Sequence, residues 1–502
     1  MVNLVDAICA AARHHGSRTA VWARGETLTY DELLETASRT ATLLLDAGVQ
    51  PGDRIAILAQ RSVHAYAAIV TALRAGGVYV PLNPRYPIDR NRAMLEASQA
   101  TALIIDATSA KECADLLRTP GLRAIVVPDG DGRAAIAATE ARRDLPVRAA
   151  ADDCYLLFTS GSTGRPKGVP ITHGNVLAYV AGIDELIAIT HEDRLIQLAD
   201  LTFDLSGHDL WMAWTHGAAL YSVPETATLF ASRFVEEHEL TGWCSVPSAV
   251  GLARKAGLID AGSLPSVRFS VFCGEALRST VADAWADAVP NSVIFNLYGP
   301  TEATIAISAH RYRPGEPGPA VVSLGMPLGT QQMALFDADN RPVPTGEIGE
   351  LLLAGSQLAR CYWHAPEIDA QKFVEIDGTR WYRTGDLARF DPQSGYHYAG
   401  RIDQQIKVLG YRVEVLEIES ALRGATNREL AVVPWPITED GGAQGTVAFV
   451  VGDPLDEEAV TATMRASLPP YMIPARFVYL SALPLNQNGK TDYPALRTHP
   501  SL

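Results

Sequence analysis

Cysteine is scarce in this chain. Its six thiols, Cys9, Cys113, Cys154, Cys244, Cys273 and Cys361, form no CxxC pair and have no metal-ligand spacing. That excludes a disulfide-stapled scaffold and predicts reduced, buried thiols in a cytoplasmic protein. Long apolar runs are also missing: none approaches the ~18 residues that a membrane-spanning helix needs. The first apolar stretch carries Asp6 and leads into no cleavage-site pattern, so it does not read as a signal peptide. Positive charge is in deficit, with 42 Lys and Arg against 57 Asp and Glu, a net charge of −15. A nucleic-acid binder needs a basic stripe to displace counterions, so that class is disfavoured.

The remaining composition, 47% apolar and 20% charged, suits a packed globular fold rather than disorder. At 502 residues the chain outgrows a single core, so two or more domains are expected. Short apolar runs recur at Arg54–Leu58, Ala102–Ile105, Ala124–Val127, Tyr155–Phe158, Arg268–Phe272 and Val293–Leu297. Helical stretches such as His64–Ala75 and Thr172–Ile187 lie between them. This alternation predicts an α/β fold, with parallel sheets covered by helices. Near residue 400 the rhythm changes. A mixed-charge segment (Arg401–Glu419) is followed by strand-like runs at Glu429–Val433 and Thr446–Val451 and a helix near Glu457–Ser467. The reading is a large domain over 1–402 and a small, mobile α+β domain over 403–502, joined by a hinge; one continuous fold is the alternative.

The sharpest local signal is Thr159-Ser-Gly-Ser-Thr-Gly-Arg-Pro-Lys-Gly168, between an apolar strand and a helix that Thr172 is suited to cap. Glycines let backbone N–H groups converge, hydroxyls add donors and Lys167 adds charge, so the loop suits phosphates. It is not a Walker A loop: Pro166 stands where that motif needs glycine, and Gly168 where it needs serine or threonine.

This string resembles the signature loop of the adenylate-forming superfamily, which includes acyl-CoA synthetases, luciferases and the adenylation domains of nonribosomal peptide synthetases. Further family-like motifs follow in order: LRAGGVYVPLNPRYP (73–87), FDLS (203–206), NLYGPTE (296–302), GELLLAGSQLARCYW (349–363), YRTGD (382–386), GRIDQQIKVLGYRVEVLEIE (400–419), LPPYMIP (468–474) and NQNGKTD (486–492). The resemblance covers essentially the whole chain. It implies ATP and Mg²⁺ as cofactors, and attack of a substrate carboxylate on the α-phosphate with loss of pyrophosphate.

Roles carried by the resemblance are expectations. Thr159, Ser160, Gly161, Ser162, Thr163, Gly164 and Lys167 hold phosphates, and Thr301 contacts them. Glu302 binds the metal; one carboxylate suits a Mg²⁺ that keeps several waters. Tyr298 offers a face to the adenine, bordered by Gly274, Glu275 and Ala276, with Asn296 and Gly299 in the same nucleotide set. Asp386 accepts the ribose hydroxyls, and Arg401 touches ribose or phosphate. Lys490 is the catalytic residue, its ammonium bridging the substrate carboxylate and the α-phosphate. Asp403 is the hinge, unless it serves as the ion-pair partner of Arg401, and Gly410 lines a pantetheine path.

Asp204 directs the reading towards amino acids. In the resemblance an aspartate here pairs with the substrate ammonium, whereas a helix cap ahead of Leu205 is the structural alternative. Leu205, His208, Cys244, Val271, Cys273, Leu297, Ile305 and Ala306 then line the side-chain pocket. Most are small or aliphatic, which implies a small to medium, largely neutral substrate. His208 either pairs with a polar or acidic side chain or fills space. The sequence shows no carrier module beyond Lys490, so the expected partner is a separate carrier protein with a phosphopantetheine arm; no nucleic acid or membrane is expected. An acyl- or aryl-CoA ligase is the rival reading, and a non-catalytic nucleotide-binding protein on the same fold a more distant one.

Overall fold

The computed structural model describes residues 3–160, 166–316, 318–437, 443–485 and 491–502. The chain sorts into two compact units: one of residues 1–84, 95–157 and 168–400, the other of 401–502 together with 85–94 and 158–167.

Two largely parallel sheets dominate the first unit, as the alternating pattern predicts. In the six-stranded sheet, Ala124–Val126, Ala102–Ile105, Arg54–Leu58, Val78–Leu82 and Asp153–Thr159 run parallel in that order. Val78–Leu82 and Ala102–Ile105 are buried at every position. Such continuous apolar runs belong to strands covered on both faces. The nine-stranded sheet places Val293–Tyr298, Phe269–Phe272, Gly242–Ser245, Arg194–Gln197, Ala219–Ser222 and Thr19–Ala23 side by side, all parallel. Helix Val63–Arg74 packs against strands of both sheets and is buried along nearly its whole length. A helix that is apolar all round has no other stable position.

Local chemistry explains the element ends. Thr172 caps helix His173–Asp184 through a reciprocal capping box with Asn175. Helix Leu205–His216 stops at Gly217, whose φ of +73° is left-handed backbone that glycine adopts without a Cβ penalty. A third, antiparallel sheet of Gln332–Phe336, Ile348–Ala354, Thr379–Asp391 and Phe373–Ile376 was not foreseen from sequence. The six thiols make no disulfide; four are buried, while Cys9 and Cys361 are half-buried. Among the described residues no helix is long and apolar enough to cross a membrane.

In the second unit, strands Leu430–Pro434, Thr446–Val451 and Arg476–Leu480 form a sheet. Apolar side chains of helices Val415–Thr426 and Glu457–Arg465 share a core with it. Buried Glu419 ties helix to strand and tail, accepting from Val432 N at 3.0 Å and from Tyr493 OH at 2.8 Å. Gln405–Val408 and Tyr411–Glu414 form a hairpin closed by the two residues Leu409 and Gly410, at φ +50° and +84°. Positive φ at both positions is the type I′ geometry, which favours Asn-Gly. Leu409 is 40% exposed and pays for that conformation with little burial. Leu409→Asn therefore stabilises this unit by about 0.5–1 kcal/mol. A urea midpoint that rises without a change in slope checks it.

Candidate functional site

Strand register accounts for the candidate pocket. Cys244 pairs with Val271, and Val271 with Phe295, across three adjacent parallel strands. Side chains alternate along a strand, so Cys244, Val271, Cys273, Phe295 and Leu297 share one face of the nine-stranded sheet. They also share one hydrophobic core with Leu205, Ile305 and Ala306. Helix Leu205–His216 lies over this face. His208, Asp209 and Cys244 bring their polar side-chain atoms within 4.8 Å of one another. A Cβ built on Gly207 would sit 3.1 Å from Ile305 Cδ1, so nothing larger than glycine fits there without a shift. The Cys273 thiol is 3.9 Å from the Ile305 carbonyl. The structure thus gathers the side chains that the sequence assigns to the pocket. Asn296 stands apart: it alternates to the opposite face, and its buried amide donates to Ser323 O at 2.8 Å.

The polar floor of this face is uncharged. His208 is fully buried, and burial pushes its pKa down to about 4, so the ring is neutral at pH 7. Its Nδ1 lies 2.6 Å from Tyr179 OH. Burial raises the Asp209 carboxyl and the Cys244 thiol well above their usual ranges, which disfavours their charged forms. With no ligand present the His208 ring is thus uncharged, and its Nε2 is sealed from solvent. Asp209 and Tyr179 carried no signal in the sequence, because their relation to His208 is tertiary.

Asp204 occupies the position just before the first turn of helix Leu205–His216, where the macrodipole favours an anion. It makes no side-chain capping hydrogen bond, so the capping alternative fails. The residue is half-buried and its Oδ2 is sealed from solvent. After burial itself, the Asp204 charge is among the influences that raise the Tyr79, Tyr155 and Tyr179 phenols, which places it among these rings.

Further along the carboxyl end of the same sheet, Tyr298 OH donates to Asp386 Oδ2 at 2.5 Å, joining the two residues assigned to the nucleoside. Gly274, at φ +89°, turns the chain beside them, and Glu275 accepts from Ser248 N at 2.8 Å. Ala276 is half-buried. Thr301 opens a short 3₁₀ turn, Thr301–Ala303. A Cβ on Gly299 would stand 2.6 Å from Ala306 Cα, so only glycine permits that approach. Glu302 is fully buried and accepts from Tyr362 OH at 2.5 Å, with Tyr382 OH 3.2 Å beyond. A carboxylate is the hard oxygen donor that Mg²⁺ takes, so the donor type fits. Ligands of open α/β sheets bind at the carboxyl ends of the strands. A groove of about 760 Å³ lined by Ser17, Thr190, Asp193, Arg194 and Arg268 lies at the opposite ends.

In the second unit Ser160 Oγ donates to Arg412 O at 2.9 Å, Lys167 Nζ is 3.9 Å from Glu414 Oε1, and Thr159 is half-buried. Arg401 and Asp403 form a two-pronged ion pair at 2.6 and 2.8 Å, the pairing that the sequence left open beside the hinge role. Gly410 is the second residue of the hairpin turn. Gly161, Ser162, Thr163, Gly164 and Lys490 lie outside the described residues.

Comparison with known proteins gives the following. Residues 9–363 match the AMP-binding enzyme family, and residues 417–490 the AMP-binding enzyme C-terminal domain. The chain is 33% identical over 485 residues to bacitracin synthase 3 of Bacillus licheniformis, covering 95% of this chain and 7% of that protein. It is 34% identical over 501 residues to the phosphinothricin tripeptide synthetase PhsC of Streptomyces viridochromogenes, covering 97% and 44%. The chain thus spans less than half the length of these curated relatives. Among solved structures, the Vibrio cholerae adenylation domain AlmE in complex with glycyl-adenosine-5'-phosphate aligns with TM-score 0.88 at 32% identity, over 99% of this chain and 97% of that one. The artificially fused adenylation-PCP di-domain NpsA-ThdA from Klebsiella oxytoca aligns with TM-score 0.83 at 25% identity, over 95% and 94%.

His208 generates a pH prediction. Its folded pKa of about 4 lies below the ordinary 6.5, so its contribution to stability is present at pH 7 and is lost as pH falls from 6.5 towards 4. Between pH 7 and 4.5 the wild type should lose about 2 kcal/mol more unfolding free energy than His208→Gln. Urea titrations of both proteins at the two pH values measure this difference.

Proposed function

Because the chain belongs to the AMP-binding enzyme family, we propose that it activates an amino acid as its aminoacyl-AMP, consuming ATP and releasing pyrophosphate. The acyl group then passes to the phosphopantetheine thiol of a carrier protein. The observation that carries the substrate class is Asp204: a carboxylate with one oxygen sealed from water, at a helix start, doing no capping work. In this reading the substrate ammonium pairs with that carboxylate. An acid lacking the amine cannot form this charge-assisted pairing and is disfavoured. The glycyl-adenosine-5'-phosphate held by AlmE supports the same class, and the adenylation-PCP fusion of NpsA-ThdA supports a carrier as acceptor.

The chain's groups divide the first half-reaction between them. Asp204 orients the substrate through its amine, while the floor of His208, Asp209 and Cys244, where burial disfavours charge, accepts an uncharged side chain. Tyr298 and Asp386 are already joined by a hydrogen bond and receive adenine and ribose. Ser160 and Lys167 serve the phosphates. Glu302 would hold Mg²⁺, which when bound neutralises phosphate charge. Lys490 places its ammonium where negative charge gathers as carboxylate oxygen attacks the α-phosphate.

Amino-acid-dependent exchange of labelled pyrophosphate into ATP tests the reading, run on a panel of amino acids and their amine-free counterparts. Exchange with small to medium, largely neutral amino acids is expected, and none with their amine-free counterparts. Equal exchange with amine-free acids, or thioester formation on free coenzyme A, would replace it with an acyl-CoA ligase. Lys490→Ala should lower adenylation by about 10²–10³, while transfer from supplied aminoacyl-AMP survives; equal loss of both half-reactions refutes its role. Asp403→Pro should slow transfer far more than adenylation, and comparable slowing of both counts against a hinge.

A further inference from the structure

The backbone after Glu302 is strained at two successive residues. Thr304 has φ +58° and Ile305 φ +71°, left-handed values that are rare for residues with a Cβ and a genuine outlier for a β-branched one. Ala306 N donates to Thr304 O at 2.9 Å, closing a three-residue turn centred on Ile305. A γ-turn with positive φ at its centre is uncommon and costly, and persists only where its surroundings over-determine it.

The restraint converges on one side chain. Gln357 Nε2 donates to the carbonyls of Ala306 at 2.7 Å, Ala303 at 3.2 Å and Thr304 at 3.3 Å. In return Thr304 Oγ1 donates to Gln357 O at 2.6 Å. Gln357 is fully buried, and its own backbone N–H is held by Gln331 Oε1 at 3.2 Å. Two residues on, Ala359 N donates to Glu302 O at 2.8 Å, so the same segment grips the turn at its start. The turn sets Ile305 against Gly207 of the Asp204 helix and turns the Ile305 carbonyl towards the Cys273 thiol.

We propose that Gln357 is a positioning residue for amino-acid recognition: its amide holds the strained 303–306 turn, and the turn fixes Ile305 and Ala306 against helix Leu205–His216. Without the amide the strain relaxes and Ile305 leaves its place. This rests on the reading that Ile305 and Ala306 line the amino-acid pocket. Tyr298 and Asp386, assigned to the nucleoside, receive no hydrogen bond from Gln357 among those the structure gives.

The test uses Gln357→Met, similar in length but without the N–H donors. With the amino acid most active in pyrophosphate exchange, KM for that amino acid should rise about tenfold or more, while KM for ATP stays within about twofold. Equal changes in both constants, or a lower melting temperature with both unchanged, overturns the proposal. Amide hydrogen exchange of the peptide 299–308 needs no substrate and should accelerate in Gln357→Met relative to the rest of the first unit. Unchanged exchange there overturns the clamp even if the wild type activates no amino acid, a result that would separately sink the functional reading. Should Gln357→Met fail to fold, Gln357→Asn keeps the amide one methylene short and should show the same KM split at smaller size. A folded Gln357→Asn with both constants unaltered also counts against the clamp.

Discussion

A carboxylate at the start of a buried helix is the feature on which the rest of the candidate site depends. Asp204 stands where backbone N–H groups of Leu205–His216 favour negative charge, yet its side chain caps none of them. Its charge reaches the phenols of Tyr79, Tyr155 and Tyr179, which are buried and held protonated. On the proposed function, a substrate ammonium docks against this carboxylate.

Around that anion the protein builds a neutral chamber by sheet register. The pairing of Cys244, Val271 and Phe295 commits alternate residues of three strands to one face, and a one-residue slip would send every one of them to the other side. Burial then keeps the few polar groups on that face uncharged. On the proposed function, charge discrimination falls to Asp204 and shape discrimination to the aliphatic wall. The strained turn at Thr304 and Ile305 adjoins this wall, so the proposed recognition would depend on backbone geometry as well as on side-chain identity.

Much of this was legible in the sequence. Strands Arg54–Leu58, Ala102–Ile105 and Thr446–Val451 fall where the apolar runs ended them, because fully buried strands carry uninterrupted apolar sequence. Thr172 was readable as a cap because capping is a local hydrogen bond. The antiparallel third sheet escaped notice. Its strands, such as Thr379–Asp391, mix exposed and buried positions with turns between them, and no helix alternates with them. Motif resemblance located Ile305 and Ala306 but could not reveal Gln357 as their support. That relation spans about fifty residues of sequence and rests on three backbone carbonyls, whose chemistry is the same at every position. Asn296 lies on the strand face of Tyr298, opposite Phe295 and Leu297, and its amide donates to Ser323 O.

The most direct test is a crystal structure with a non-hydrolysable aminoacyl-adenylate analogue of the amino acid that the protein activates. The account predicts the substrate ammonium within hydrogen-bond distance, about 2.7–3.0 Å, of the Asp204 carboxylate, with the side chain over Val271 and Leu297. An ammonium paired elsewhere, with Asp204 turned to solvent, would contradict it.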